Sequence, residues 1–208
     1  MSGSGKKDSD SGIGGQRKNP VTGSGKMSFD ALRTRARQLS MREQLERQHF
    51  LLEHLNAACT RLMHAVEQGR VFEALGEIVG KSIGSEQAAI FRYHPAEHAF
   101  SKVWSSGLDA EVLRQFGLGA GLVGRTAAQG TSQFRDRHFE GLLLPHEKAM
   151  TACVVLKSGS EVVAVIVILG LLAHKDGLEW ADYELLKFLE TYGAVAVQLQ
   201  DLQQNSAT

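Results

Sequence analysis

Thr151-Ala-Cys-Val-Val-Leu156, then Lys-Ser-Gly-Ser-Glu, then Val162-Val-Ala-Val-Ile-Val-Ile-Leu169 is the stretch that decides the fold. The linker is too short for a crossover, so the two apolar runs form an antiparallel hairpin. An antiparallel pair with one wet face alternates apolar and polar residues. Val162–Leu169 does not alternate, and Thr151–Leu156 barely does, so both faces of the sheet need cover. The sequence offers two sources of cover: amphipathic helices at both ends, and the segment between the early strands and the hairpin. The architecture that follows is a three-layer α+β sandwich.

Working outward, Trp180–Gln204 reads as the closing helix, with Leu185, Leu189, Tyr192, Ala196 and Leu199 on one stripe. Upstream, Ala88–Tyr93 and Ala99–Trp104 read as paired strands around a His94-Pro-Ala-Glu turn. Leu108–Phe116 reads as a short helix, and Ser132–Arg135 as a short strand. Before them, residues 27–69 carry a helical pattern. Ser40-Met-Arg-Glu43 has the form of a capping box, which predicts a helix restart there. Leu45, Leu52, Cys59 and Val66 then recur every seven residues, with Leu55 and Leu62 three residues after Leu52 and Cys59, one seam of roughly three heptads suited to packing on another helix. Gly69 interrupts, and Val71, Phe72, Leu75, Ile78 and Val79 begin a second amphipathic helix. Residues 1–26 hold seven Gly, five Ser and a charge of +3, too few apolar groups to offset ordering entropy, and are expected to be a disordered tail.

Composition excludes several classes. Lys+Arg and Asp+Glu both total 23 in 208 residues, so the chain lacks the basic excess that nucleic-acid binding through phosphates demands. Two cysteines make neither a disulfide scaffold nor a four-thiolate zinc site. They suit a reducing compartment, and a cytoplasmic protein is expected. The longest apolar run, residues 162–173, has 12 residues against the roughly 18 needed to span a bilayer, so no membrane partner is expected.

The order of these pieces resembles the GAF domain over about residues 45–204. The resemblance rests on terminal helices around a central sheet, the glycine-rich GLGAGLVGRTAAQG (117–130), and EVVAVIVILG followed by WADYELLKFLETYGAVAVQL. It implies an antiparallel sheet of about six strands, with the N- and C-terminal helices on one face and a loop-helix layer on the other. It also implies a small-molecule sensor or dimerisation module of a signalling protein. The domains expected are a tail (1–26), an N-terminal coiled-coil-like helical segment (27–69) and a GAF-like domain (70–204).

Gly117, Gly119, Gly121 and Gly124 admit two readings. A phosphate cradle on the helix beginning at Val123 would need a parallel βαβ context, which the pattern lacks. Tight packing of a loop on the sheet needs only glycine's positive φ and missing Cβ, and is the favoured reading. No catalytic constellation emerges. His94 and His98 flank a proline in a turn, outside helical zinc spacing, and His49, His54, His64, His138, His146 and His174 are read as surface residues. Cys59 on the seam and Cys153 in a strand read as small apolar side chains. By resemblance, free methionine sulfoxide reductases of this fold use several cysteines near the pocket, where this chain has one. Bilin-binding relatives carry a cysteine after the glycine-rich stretch, whereas Cys153 lies on the final hairpin. The Asn-Lys-Phe-Asp motif of cyclic-nucleotide-binding relatives is missing.

The pocket implied by the resemblance lies between the sheet and the loop-helix layer. Phe91, Tyr93, Trp104, Phe116 and Phe134 are its expected lining, with Arg125, Thr126 and Arg135 orienting an anionic or amide-bearing ligand. The expected function is a non-enzymatic sensor of an unidentified small molecule. It would act as a homodimer through its terminal helices and signal to a separate output protein, with the cofactor unknown and no metal. The alternatives are a ligand-free dimerisation scaffold and a sulfoxide reductase.

Overall fold

A computed structural model describes residues 29–109, 113–135 and 144–206. The 1–26 tail, His138 and the middle of the 108–116 stretch fall outside the described residues. Contact density divides the chain into residues 1–43 and 44–208. The described part of the first unit is helical, and helix α1 (Phe29–Gln68) runs through the boundary without the restart expected at Ser40. The second unit holds the remaining elements. In chain order these are α2 (Val71–Lys81), β1 (Ser85–His94), β2 (Ala99–Ser106), β3 (Gln115–Gly117), α3 (Gly121–Gln129), β4 (Gln133–Phe134), β5 (Ala152–Ser158), β6 (Glu161–Leu171), α4 (Trp180–Phe188) and α5 (Ala194–Ser206).

The six strands form one antiparallel sheet in the order β3-β2-β1-β6-β5-β4. Central β6 explains the sequence pattern directly. Ala164, Ile166 and Ile168 join the core beneath the helices, while Val165, Val167 and Leu169 join a second core on the opposite face. Strand β1 divides likewise, with Ala88 and Ile90 on the helix side and Ala89 and Phe91 on the other. Burying each Val, Ile, Leu or Phe among them contributes about 1.5–3 kcal/mol, so neither face can be left bare. Both layers of cover that the hairpin demanded are therefore present.

The helix layer comprises the C-terminal part of α1, together with α2, α4 and α5. Its cohesion includes polar ties between distant parts of the chain. Gln200 of α5 is buried, and its Oε1 accepts the Val71 N–H at 2.7 Å, capping α2 from outside. Lys175 Nζ lies 2.8 and 2.7 Å from the two carboxylate oxygens of buried Asp182 and donates to the Ile83 carbonyl at 2.6 Å. That pair joins the start of α4 to the turn before β1. Between α4 and α5, Leu189–Gly193 form one turn of π-helix. No helix of the described residues is long and apolar enough to cross a membrane.

Two expectations need correction. The described residues of 108–116 are not helical: Leu113 takes φ 50, and Gln115–Gly117 form β3, pairing with β2 through Phe100↔Phe116. Strand pairing lets Phe116 join the second core, a gain that outweighs weak local helix preference. The heptad seam of α1 divides. Leu45 and Leu52 are exposed, as is Cys59, while Leu55, Ala58, Leu62, Ala65 and Val66 meet the core. Leu55, Leu62 and Val66 are thus the part of the seam that packs on the core, while an α-helix turning every 3.6 residues carries Leu45, Leu52 and Cys59 off that stripe.

Candidate functional site

The loop-helix layer is built on α3, whose start is shaped by glycine. A Cβ on Gly121 would stand 2.6 Å from Glu147 Oε1, and one on Gly124 would stand 2.5 Å from the Gly117 carbonyl. Both glycines therefore serve close approach, as the packing reading required. Glu147, in a 3-10 turn at Pro145–Ala149, is buried. Its Oε1 accepts the Leu122 N–H at 2.6 Å and the Val123 N–H at 3.0 Å, and its Oε2 accepts the Leu144 N–H at 2.7 Å. The anion-favouring N-terminus of α3 is thus occupied by the chain's own carboxylate.

Beneath α3 lies an aromatic cluster. Phe91 and Phe116 meet edge-on with ring centroids 4.9 Å apart, Phe100 stacks on Phe116 at 4.9 Å, and Tyr93 tilts against Phe100 at 4.9 Å. Leu122, Val123, Met150 and Cys153 complete this core. Burial pushes the Cys153 thiol up, and the neighbouring Thr126 hydroxyl partly offsets this. The Glu147 carboxylate raises it further. Thr126 Oγ1 is itself buried, and among the described residues it has no hydrogen bond of good geometry.

The structure splits the expected pocket set. Phe91, Tyr93, Phe116 and Thr126 share the loop-helix face, and half-buried Arg125 rides on α3 beside them. Trp104 does not. A bulge in the β1–β2 register pairs Ile90 with Trp104 but Phe91 with Lys102, which throws Trp104 onto the helix face against Gly76. Phe134 also faces the helices, with its ring centroid 5.1 Å from that of Tyr183. Arg135, at the end of β4, donates to the Lys148 carbonyl. No local spacing announces the role of Glu147 at α3, because the Leu122 and Val123 N–H groups lie 25 and 24 residues away.

Two open clefts border the other side of β4. One, of about 720 Å³, runs between β5 and the α4–π segment; the other, of about 450 Å³, lies beside Arg135 and Lys175. The histidines flanking the first turn have local roles. His94 Nε2 lies 2.6 Å from Ser101 Oγ, and His98 Nδ1 lies 3.4 Å from the Tyr93 hydroxyl.

A six-stranded antiparallel sheet, with terminal helices on one face and a glycine-started helix on the other, decides the comparison. The fold is that of a GAF domain. The GAF domain of a phosphoenolpyruvate-protein phosphotransferase from Coxiella burnetii superposes with TM-score 0.59 at 13% identity, over 76% of this chain and 97% of that one. A GAF domain/HD domain protein from Geobacter sulfurreducens gives 0.54 at 15% identity, over 68% and 98%. The free methionine-R-sulfoxide reductase from Neisseria meningitidis, solved with its substrate, gives 0.50 at 15% identity, over 71% and 90%. No protein-family profile matches the chain, and no curated protein matches it by sequence. At these identities the GAF likeness is one of fold.

Proposed function

We propose that this GAF-fold protein is a non-enzymatic, cytoplasmic signal-transduction module. It works as a homodimer through its terminal helices and senses a small molecule on its loop-helix face. The supporting observation is the exposed apolar surface of those helices. Leu45 and Leu52 on α1 are 61% and 64% exposed, and Leu202 on α5 is 61% exposed, with Val195 and Leu199 also open to solvent. Helices that already bury one stripe in a filled core, yet carry a second apolar stripe, are built to meet another helix. A ligand whose state changes the packing of α3 on the sheet would act on the helix layer through the shared strands β1, β5 and β6.

The ligand class this site favours is uncharged, because Glu147 already neutralises the α3 N-terminus. A free methionine sulfoxide reductase activity is the competing reading. It would rest on Cys153 alone, whose burial and raised thiol disfavour a thiolate nucleophile. Light scattering of the purified full chain at micromolar concentration tests the main reading. A dimer that Leu45→Lys/Leu52→Lys converts to monomer is expected, and a monomeric wild type overturns it.

A further inference from the structure

We propose that the cleft between β5 and the α4–π segment receives an extended peptide of a partner protein, which adds to the sheet as a strand beside β5. The argument starts at the sheet edge. Strand β5 has seven residues, but β4 pairs only with Ala152 and Cys153. Ser132 Oγ takes the next N–H on that side, Val155, at 2.9 Å. The N–H and C=O of a strand residue point to the same side and alternate along the strand. The Val155 carbonyl and the Lys157 N–H and carbonyl therefore continue the same edge, and none has a backbone partner on that side among the described residues. Such an edge is a template for an added strand.

The cleft lies along this edge and is open to solvent along its length, a trough rather than an enclosed chamber. Its floor carries the Phe134–Tyr183 ring pair, an apolar platform for one side chain of an added strand. Its helical wall carries Glu184, Lys187 and Glu190, three residues apart and all lining the cleft. None of the three forms an ion pair among the described residues, whereas Lys157, across the cleft, spends its ammonium on the Gly130 carbonyl at 3.1 Å. The unpaired acid–base–acid row complements a segment that presents basic, acidic and basic side chains on one face. An extended chain does so at alternate positions. The occupant is therefore an extended peptide of alternating charge. The cleft lies at the sheet edge, between α4 and the loop that follows the C-terminus of α3 at Gly130, and includes neither the start of α3 nor the aromatic cluster, so it does not depend on the sensing role proposed above.

The test uses the full-length protein and two acetylated, amidated pentapeptides, Arg-Val-Glu-Val-Arg and its charge reversal Glu-Val-Arg-Val-Glu. Amide resonances are followed during titration and hydrogen exchange. The expected result is saturable shifts along β5 with slowed exchange at the Lys157 N–H for the first peptide, and at least tenfold weaker binding for the second. Glu184→Lys/Glu190→Lys weakens the first peptide at least tenfold, while the unligated spectrum outside the cleft stays as in wild type. Absence of shifts along β5 with both peptides at millimolar concentration overturns the proposal. So do equal affinities for the two peptides, or protection at Lys157 that grows with protein concentration in the absence of peptide, which assigns the edge to a second copy.

Discussion

Glu147 and Leu122 are 25 residues apart in sequence, yet the Glu147 carboxylate accepts the Leu122 N–H at 2.6 Å, in a site where glycine at 121 leaves room for it. One side chain thus caps α3 and fastens the segment before β5 to it. Glu147→Ala strands three N–H groups, two of them at the buried start of α3, and is expected to cost about 2–4 kcal/mol. Glu147→Gln keeps an oxygen for Leu122 and Val123 and is expected to cost less than half as much. Urea midpoints at unchanged slope read both values.

Cys153 gives a pH signature. Its thiol is pushed up in the folded state, chiefly by burial, so the folded protein holds this proton where the unfolded chain releases it. The stabilisation is complete below the ordinary thiol value of 9.0 and is lost as pH rises above it, at about 1.4 kcal/mol per pH unit. Unfolding free energies between pH 8 and pH 10.5 are expected to fall more steeply for wild type than for Cys153→Ala. In the native state a thiol reagent is expected to label exposed Cys59 and spare Cys153.

Gly76 and Trp104 test the contact of α2 with the sheet. A Cβ at Gly76 would stand 2.2 Å from the indole, so Gly76→Ala must displace the ring or the helix. The expected cost is about 1–3 kcal/mol despite the better helix propensity of alanine. Combining it with Trp104→Leu is expected to give less than the sum of the two single losses, which a double-mutant cycle in urea measures.

The Lys175–Asp182 pair is shielded, with side chains 15% and 7% exposed. Lys175→Met leaves a buried carboxylate without its cation and is expected to cost about 3–5 kcal/mol. Lys175→Met/Asp182→Asn removes both charges, keeps an acceptor for the Glu179 N–H, and is expected to recover at least half of that loss in thermal unfolding.

The sheet and its two layers of cover were legible because burial on both faces leaves its mark residue by residue: eight consecutive apolar positions from Val162 to Leu169 have no other economical explanation. The aromatic cluster was partly legible, since Phe91 and Tyr93 alternate on one strand. The facing of Trp104 is not legible, because one extra residue in β2 inverts the facing of everything after it, and a bulge leaves no mark in composition. The caps supplied by Glu147 and Gln200 span 25 and 129 residues, so only tertiary closure brings donor and acceptor together. Strand β3 is not legible in the sequence, because three residues carry too little periodicity to outvote their neighbours.

The seating of Trp104 against Gly76 has an optical consequence. The chain holds two indoles, and the other, Trp180 at the start of α4, is 52% exposed. Native fluorescence therefore sums a shielded emitter and a hydrated one, and iodide quenches mainly the second. Any event that lifts α2 from the strands wets the first and shifts its emission to the red, so the protein carries its own dye-free gauge of whether that helix is docked.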